Sequence, residues 1–242
     1  MRSLIGAVAF AFVGCAVMIA PAHAQVVRGN QIVAQANFVD RNQRDAPQVS
    51  LVVRADYVLF SVVLETGTRS ADTRKQELSS SFRTFTNRAE RAEGVTVEVG
   101  RPGYSAALET ATADEIIQNR GQDRSGIDLV LKVAVRERET FDQLRDRAEK
   151  FVRDTSLNGR VEAIVGDSQF LEVANPAKHR AALIEAIAAD LKQMQSTFGA
   201  SGSPATVSLT GLENRVLSRP VGPLDLEIYI PYSMSLVAGP AD

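Results

Sequence analysis

Two short apolar segments, each followed by a helical pattern, most constrain how this chain folds. "DYVLFSVVL" spans Asp56 to Leu64, and "DLVLKVAV" spans Asp128 to Val135, starting 72 positions further on. Val, Leu, Phe and Tyr are residues that favour strands. From Val58 onward both faces of the first segment are mostly apolar, which is typical of a strand covered on both sides. The repeated order predicts two similar strand–helix units.

Apolar residues after each segment recur at steps of three and four, the spacing of one helix face. In the first unit these residues are Leu78, Phe82, Phe85, Ala89 and Ala92, and in the second they are Phe141, Leu144, Ala148, Phe151 and Val152. Ser70 or Thr73 is a candidate N-cap for the first helix. The stretch "TFDQ", from Thr140 to Gln143, predicts a capping box for the second helix.

The rest of the chain completes an α+β pattern. We interpret the composition break at about 101–126 as a connector. Asn175 and Pro176 are typical of a helix start, with Asn as cap and Pro at the first helical position. The alternation from Leu224 to Leu236 predicts a long strand with one buried face, and Pro231 indicates an edge or a bulge. We predict two strand–helix–strand units plus a long C-terminal helix and a β-rich tail, with helices on one face of a mixed or antiparallel sheet.

The N-terminus has the three parts of a secretory signal peptide. Arg2 is followed by the apolar run 4–20, and small residues at 22–24 predict cleavage near Ala24, before Gln25. An uncleaved membrane anchor and lipoprotein processing at Cys15 are the alternatives. We predict a periplasmic protein that has no stable membrane span after cleavage.

Charge and composition exclude several classes of function. Without residues 1–24, which contain one Arg, 26 basic and 29 acidic residues remain, a formal net charge of −3. This balance argues against nucleic-acid binding. Cys15 and one of the two His lie in the signal segment, so His179 is the remaining His. This scarcity argues against disulfides, a Cys nucleophile and metal sites built from His and Cys.

Candidate catalytic residues are few. A Ser–His–acid triad would require His179 with Ser168 and Asp167, but no "GxSxG" motif is present. Asp56 and Asp128 hold equivalent positions in the two units, and as a converging pair they would suit acid–base hydrolysis. The stronger interpretation is that both acids lie at strand entries. We therefore predict no catalytic, cofactor-binding or metal-binding residues and no cofactor.

The layout of the chain resembles that of SIMPL-domain proteins. The stretch from Asp56 to Val99 is similar to the first half of that family, with an Asp-led strand, a long helix, a Gly and a short strand. "IDLVLKVAVRERETFDQLRDRAEKF" and "NPAKHRAALIEAIAADLKQMQSTFG", with the β-rich tail, are similar to the second half. The resemblance covers roughly Val49 to Val237 and rests on layout and hydrophobic spacing. It implies an exported bacterial envelope protein with an α+β fold and no agreed catalytic residues.

These observations give the expected domain plan and three hypotheses for function. A signal peptide at 1–24 and an irregular lead-in at 25–48 precede a single SIMPL-like domain at 49–238. The first hypothesis is a non-enzymatic periplasmic or cell-envelope protein that acts by partner binding or self-association, with a homo-oligomer formed through an exposed strand edge such as the C-terminal strand. The second is a periplasmic small-ligand binder that uses the gap between sheet and helices. The third is a hydrolase that uses Asp56 and Asp128.

Overall fold

The computed structural model describes residues 26–28, 31–35, 49–107, 113–199 and 205–238. The predicted signal peptide, including Cys15, lies outside the described residues. So do residues 36–48, the larger part of the lead-in. Two short strands, at 26–28 and 31–35, lie in the lead-in that the sequence analysis treats as irregular.

The described elements are numbered in chain order. The strands are β1 Val26–Arg28, β2 Gln31–Gln35, β3 Leu51–Arg54, β4 Tyr57–Thr66, β5 Val95–Arg101, β6 Tyr104–Ala107, β7 Gln118–Asn119, β8 Ser125–Ala134, β9 Glu162–Val173, β10 Ala205–Thr210, β11 Leu217–Pro220, β12 Asp225–Tyr229 and β13 Ser233–Ala238. The helices are α1 Ala71–Arg91, α2 Ala113–Ile116, α3 Phe141–Arg153 and α4 Arg180–Gly199, with a 3-10 turn at Pro176–His179. The predicted α+β class is confirmed.

The main sheet is built from two interleaved strand–helix–strand units. Its strand order is β1-β2-β9-β4-β8-β5-β6, with β7 also paired to β8. Among the described residues every strand pair is antiparallel. The unit β4–α1–β5 therefore places its two strands on either side of β8, and β8–α3–β9 places its strands on either side of β4. The central order β9-β4-β8-β5 is the split β-α-β arrangement of ferredoxin-like folds.

One face of this sheet carries the main core. Val58, Phe60, Val62 and Leu64 of β4 are at most 2% exposed and belong to the same apolar cluster as residues of α1 and α3. The rings of Phe85 on α1 and Phe151 on α3 meet edge to face, with centroids 5.3 Å apart. Both helices therefore cover the same face of the sheet, as predicted, and they also contact each other.

Both long helices of the two units begin at the predicted caps. The Ser70 hydroxyl accepts a hydrogen bond from the Thr73 amide at the start of α1. At α3 the capping box is complete, because Thr140 accepts from the Gln143 amide while the Gln143 side chain accepts from the Thr140 amide. These bonds satisfy amides that have no partner within the helix.

The Thr140 cap gives a direct test of this local assignment. We expect Thr140→Ala to lower the free energy of unfolding by about 0.5–2 kcal/mol, because one N-terminal amide of α3 loses its acceptor. Thr140→Ser, which keeps the hydroxyl, should retain most of that stability. Urea denaturation followed by circular dichroism measures both. Equal losses in the two variants would contradict the assignment.

A second apolar cluster is built by the C-terminal half. Leu183 and Ile187 of α4 pack with Val216, Ile228 and Ile230. The strands here form a three-stranded sheet, β11-β12-β3, and a two-stranded sheet, β10-β13. α4 therefore packs on this second cluster, whereas α1 and α3 pack on the main core.

Two sequence predictions for strands and helix starts need correction, and one break in the chain was not foreseen. The strand-like residues run from Leu51 through Asp56 in the sequence, but the chain breaks at Ala55–Asp56, so β3 and β4 join different sheets. The predicted C-terminal strand is likewise split around Pro231 into β12, in the middle of its sheet, and β13. Asn175 makes no side-chain cap bond and precedes a 3-10 turn, with α4 starting only after it.

The connector begins with a β-hairpin that the composition argument missed. β5 runs through Arg101 and pairs with β6 across the dipeptide Pro102–Gly103. Gly103 has a φ of +84°, which together with Pro at the preceding position is the pattern of a type II turn. A Pro–Gly pair between two short β-forming stretches is therefore the signal that identifies this hairpin.

Candidate functional site

The structure separates the two acids that would form a hydrolytic pair. β4 and β8 are antiparallel neighbours, and Asp128 pairs with Val63, seven positions along the chain from Asp56. A strand rises about 3.3 Å per residue, so the two acids lie roughly 20 Å apart. Asp56 and Asp128 therefore do not converge on one substrate.

Asp56 organises the entry to β4. Its Oδ2 accepts a hydrogen bond of 2.9 Å from the Ala174 amide, and its Oδ1 lies 3.6 Å from Lys178 Nζ. Its own backbone bridges two other strand ends, since the Asp56 amide donates to Glu172 O and its carbonyl accepts from Val135 N. The predicted strand-entry role is confirmed for Asp56.

Asp128 has a different environment from the one predicted. β8 begins at Ser125, so Asp128 lies inside the strand and is only 7% exposed. Its carboxylate pairs with the guanidinium of Arg120 and lies 3.5 Å from Arg101 Nε. The prediction that Asp128 marks a strand entry is wrong, because the apolar run extends upstream through Ile127 and Gly126.

The separation predicts independent effects of the two acids on stability. We expect Asp128→Asn to cost about 1–3 kcal/mol, because Arg120 loses a charged acceptor, and Asp56→Asn to cost less, because one oxygen acceptor remains. The double variant should equal the sum within about 0.5 kcal/mol, as for sites with no shared partner. Chemical denaturation of the four proteins gives this cycle. If the loss in the double variant differs from the sum of the two single losses by well over about 0.5 kcal/mol, the two acids interact, which would contradict the prediction.

His179 ends the 3-10 turn and is half-buried rather than fully exposed. Burial lowers the pKa of its imidazole, and the neighbouring Lys178 charge lowers it further, while the Asp56 carboxylate opposes both. Asp167 and Ser168 lie elsewhere, in the irregular part of β9 near the register shift opposite β4. Asp56 is therefore the acid whose charge affects the pKa of His179. Ser168, His179 and Asp167 do not form a triad.

The most heavily buried charges form an ion pair that the sequence analysis did not single out. Lys132 Nζ on β8 reaches across β4 to Glu172 Oε1 on β9, at 2.5 Å. Lys132 is 7% exposed and Glu172 is 1% exposed. The ammonium also lies 4.2 Å from the centroid of the Tyr57 ring on β4, a cation–π contact. Three adjacent strands thus contribute one side chain each.

This ion pair occupies the face of the sheet opposite α1 and α3. On the same face, Leu59 and Val130 form a small apolar cluster with Tyr57 and Phe170. Desolvation raises the pKa of Glu172, and the nearby Glu98 and Asp56 charges add to the rise, while the Lys132 ammonium partly offsets it. The pair therefore exists at an electrostatic cost, which well-made hydrogen bonds must offset.

Other charges on this face are also engaged with partners. The Ser105 hydroxyl donates to the Glu98 carboxylate, next to the Asp128–Arg120 pair. Lys132 contacts a carboxylate and a ring at once, so it is not free to act as a nucleophile or base. Among residues 49–107, 113–199 and 205–238, no group of three or more His, Cys, Asp or Glu side chains is placed to hold a metal ion. The Lys132–Glu172–Tyr57 arrangement links three strands of the main sheet.

A sequence signal for this pair exists. Lys132 is the one charge in the apolar run "LVLKVAV", and Glu172 interrupts "QFLEVA". A charge inside a strand that is apolar on both faces must be buried with a partner. The identity of the partner does not follow from sequence, because it lies 40 positions away on a non-adjacent strand.

The fold and these contacts define an α+β protein with a split β-α-β core whose buried charges are engaged with one another. Comparisons with family models, with curated proteins and with solved structures found no match. The resemblance to SIMPL-domain proteins therefore stays a prediction. No helix in the described part of the chain is both long and apolar enough to cross a bilayer.

Proposed function

We propose that this protein is a non-enzymatic component of the bacterial cell envelope that acts through self-association, by pairing β3 with β3 of a second copy. The export pattern at 1–24 supports the location. The separation of Asp56 from Asp128 and the engagement of Lys132 support a non-catalytic role. The observation that carries the proposal is the outer edge of β3.

β3 ends the three-stranded sheet and exposes its central residue. Within the described ranges it pairs with β12 alone, in a register that joins Val53 to Leu226 and Leu51 to Ile228. Val52 is 66% exposed, the highest value among the large aliphatic side chains in the described part of the chain. Backbone groups alternate in direction along a strand. With Val53 and Leu51 directed to β12, those of Val52 and Arg54 face outward.

The opposite edge of the same sheet is protected in a way that β3 is not. β11 ends in Pro220, which has no amide to donate, and it lies against β2. Proline, lysine and covering elements are the usual devices that block edge pairing. Residues 50–54 contain neither Pro nor Lys, and the guanidinium of Arg54 is turned away to the carbonyl of Glu139.

Antiparallel pairing about Val52 is self-complementary. Val52 would face its own symmetry copy, and Arg54 would face Ser50 of the second copy, which gives about six backbone hydrogen bonds. A two-fold interface requires that one patch complement itself in this way.

The expected association is weak. Five residues per chain bury less surface than the roughly 1,200–2,000 Å² of a stable interface, so we expect a dissociation constant of about micromolar or higher. Such an interaction responds to local concentration, which an envelope compartment or a shared partner raises.

Sedimentation velocity over a concentration series tests the proposal. We expect wild-type protein to show concentration-dependent dimers and Val52→Lys to lower the association constant at least tenfold, because a charge on the edge resists pairing. Val221→Lys is the matched control, since Val221 is 51% exposed just beyond β11, and it should associate like the wild type.

Two outcomes would contradict the proposal. One is a wild-type protein that stays monomeric across the series. The other is equal association of wild type and Val52→Lys, which would assign the contact to a different surface. Capture of an unlike envelope protein that Val52→Lys abolishes, with no self-association, would favour partner binding at the same edge.

The small-ligand alternative is less well supported by the core. The space between the main sheet and α1 and α3 is filled by Phe60, Phe82, Phe85 and Phe151, each at most 7% exposed. A binding site between sheet and helices needs a cavity lined by a few polar groups, and these aromatic rings occupy that position.

A further inference from the structure

We infer that Asn158 is a site of spontaneous modification, where the chain forms a succinimide and converts Asn158 to aspartate and isoaspartate. This inference is independent of the proposed function. Asn158–Gly159 is the one Asn–Gly dipeptide in the sequence. It lies in the turn between α3 and β9, and both residues are exposed.

The turn presents the reacting groups to solvent. The Val161 amide donates to the Asn158 carbonyl at 3.3 Å, and Gly159 has a φ of +63°. Gly at the first central position with a positive φ is the pattern of a type II′ turn. Because Gly159 has no Cβ, nothing on its own side chain screens its nitrogen from the Asn158 side chain.

The side chain of Asn158 is held loosely. Its Nδ2 makes one hydrogen bond, at 3.3 Å, to the Thr84 hydroxyl on α1. The backbone of Asn158 is held more firmly, since its amide donates to Ser81 Oγ at 2.9 Å. The side chain is therefore the part of this residue that can rotate toward the Gly159 nitrogen.

The reaction needs only water and base. Hydroxide removes the Gly159 amide proton, and the nitrogen attacks Asn158 Cγ. Nδ2 takes a proton from water, which regenerates the hydroxide, and the bond from Cγ to Nδ2 breaks so that ammonia leaves and the succinimide is closed. Water then opens either carbonyl of the ring, giving aspartate or isoaspartate with no change in oxidation state.

The product alters the contact between α1 and the turn. The amide that donates to the Thr84 hydroxyl becomes a carboxylate, one residue before Gly159, which already lies against the Glu77 carboxylate. Isoaspartate also lengthens the backbone by one carbon, which displaces the amide that binds Ser81. Modification should therefore loosen the turn from α1.

Peptide mass spectrometry of the purified protein, aged at mildly alkaline pH, tests the inference. Cleavage after Arg153 and Arg160 isolates residues 154–160, and we expect this peptide to gain about 1 Da and split into two chromatographic forms. Conversion should rise with pH and be absent from Asn158→Ser. Asn87 and Asn214, each followed by Arg, serve as internal controls and should convert far more slowly.

The Asn158→Asp variant tests the effect of the new carboxylate on stability. It should have a lower Tm than the wild type.

Two results would overturn the inference. One is conversion of Asn158 in urea-unfolded protein with none in the folded protein, which would show that the turn protects the site. The other is equal conversion at Asn87, Asn214 and Asn158. A Tm for Asn158→Asp equal to that of the wild type would overturn the claim that modification loosens the turn.

Discussion

Lys132→Met should lower the free energy of unfolding at neutral pH by about 3–5 kcal/mol, because it leaves the Glu172 carboxylate buried without its partner. Met keeps the apolar length of the Lys side chain, so the loss reports charge rather than volume. Glu172 is 1% exposed and has no ready route to water. Urea denaturation followed by circular dichroism gives the value.

Replacing both partners should recover most of the stability. Lys132→Met combined with Glu172→Leu removes the desolvation cost of both ions, and such exchanges are often neutral or stabilising. Lys192→Met, at an exposed position on α4, is the control for loss of a Lys and should change stability by at most about 0.5 kcal/mol. A double variant as unstable as Lys132→Met would contradict the ion-pair explanation.

The loss of unfolding free energy caused by Lys132→Met should be smaller at acidic pH. Burial already raises the pKa of Glu172 above 4.5 in the folded wild type, and removing the Lys132 ammonium raises it further. A carboxyl that binds its proton more tightly when folded loses stability as pH rises from its unfolded pKa through its folded pKa. Lowering the pH from about 7.5 to about 5 should therefore narrow the gap between variant and wild type.

The second large effect is expected from Phe85→Ala, which should cost about 3–5 kcal/mol. Phe85 is fully buried on α1 and meets Phe151 of α3 edge to face, so its removal opens a cavity at the junction of the two strand–helix–strand units. Phe85→Leu should cost less than half as much, because it fills part of that space. Thermal and urea unfolding measure both variants.

The same variant tests whether the two units share one core. If they do, Phe85→Ala should shift the near-UV and far-UV circular dichroism transitions together, since a cooperative domain unfolds in one step. Tyr104→Ala removes an aromatic ring that is 70% exposed and should change stability little. Separate transitions for the two units would contradict a shared core.

Most elements of this fold could be predicted from the sequence, because several local signals agree on them. The repeated apolar segments, the helical spacing after them and the Ser70 and Thr140 caps all point to the same elements. The prediction failed where a continuous strand-like pattern in the sequence forms two strands that belong to different sheets. Asp56 divides β3 from β4 and Pro231 divides β12 from β13, and neither division changes the alternation of apolar residues.

Less of the candidate site could be predicted. The bond between Lys132 and Glu172 crosses an intervening strand, so it depends on the sheet order β9-β4-β8, which periodicity does not reveal. Equivalent positions of Asp56 and Asp128 in the sequence suggested proximity. Antiparallel pairing of β4 and β8 places them toward opposite ends of the strands instead.

Amide hydrogen exchange at β3 tests the central proposal most directly. If β3 pairs with β3 of a second copy, the outward amides of Val52 and Arg54 should become protected as protein concentration rises, and Val52→Lys should abolish that change. The inward amide of Val53, bonded within the sheet to β12, should be protected at every concentration. Val52 and Arg54 amides that exchange equally fast at all concentrations would contradict self-association through this edge.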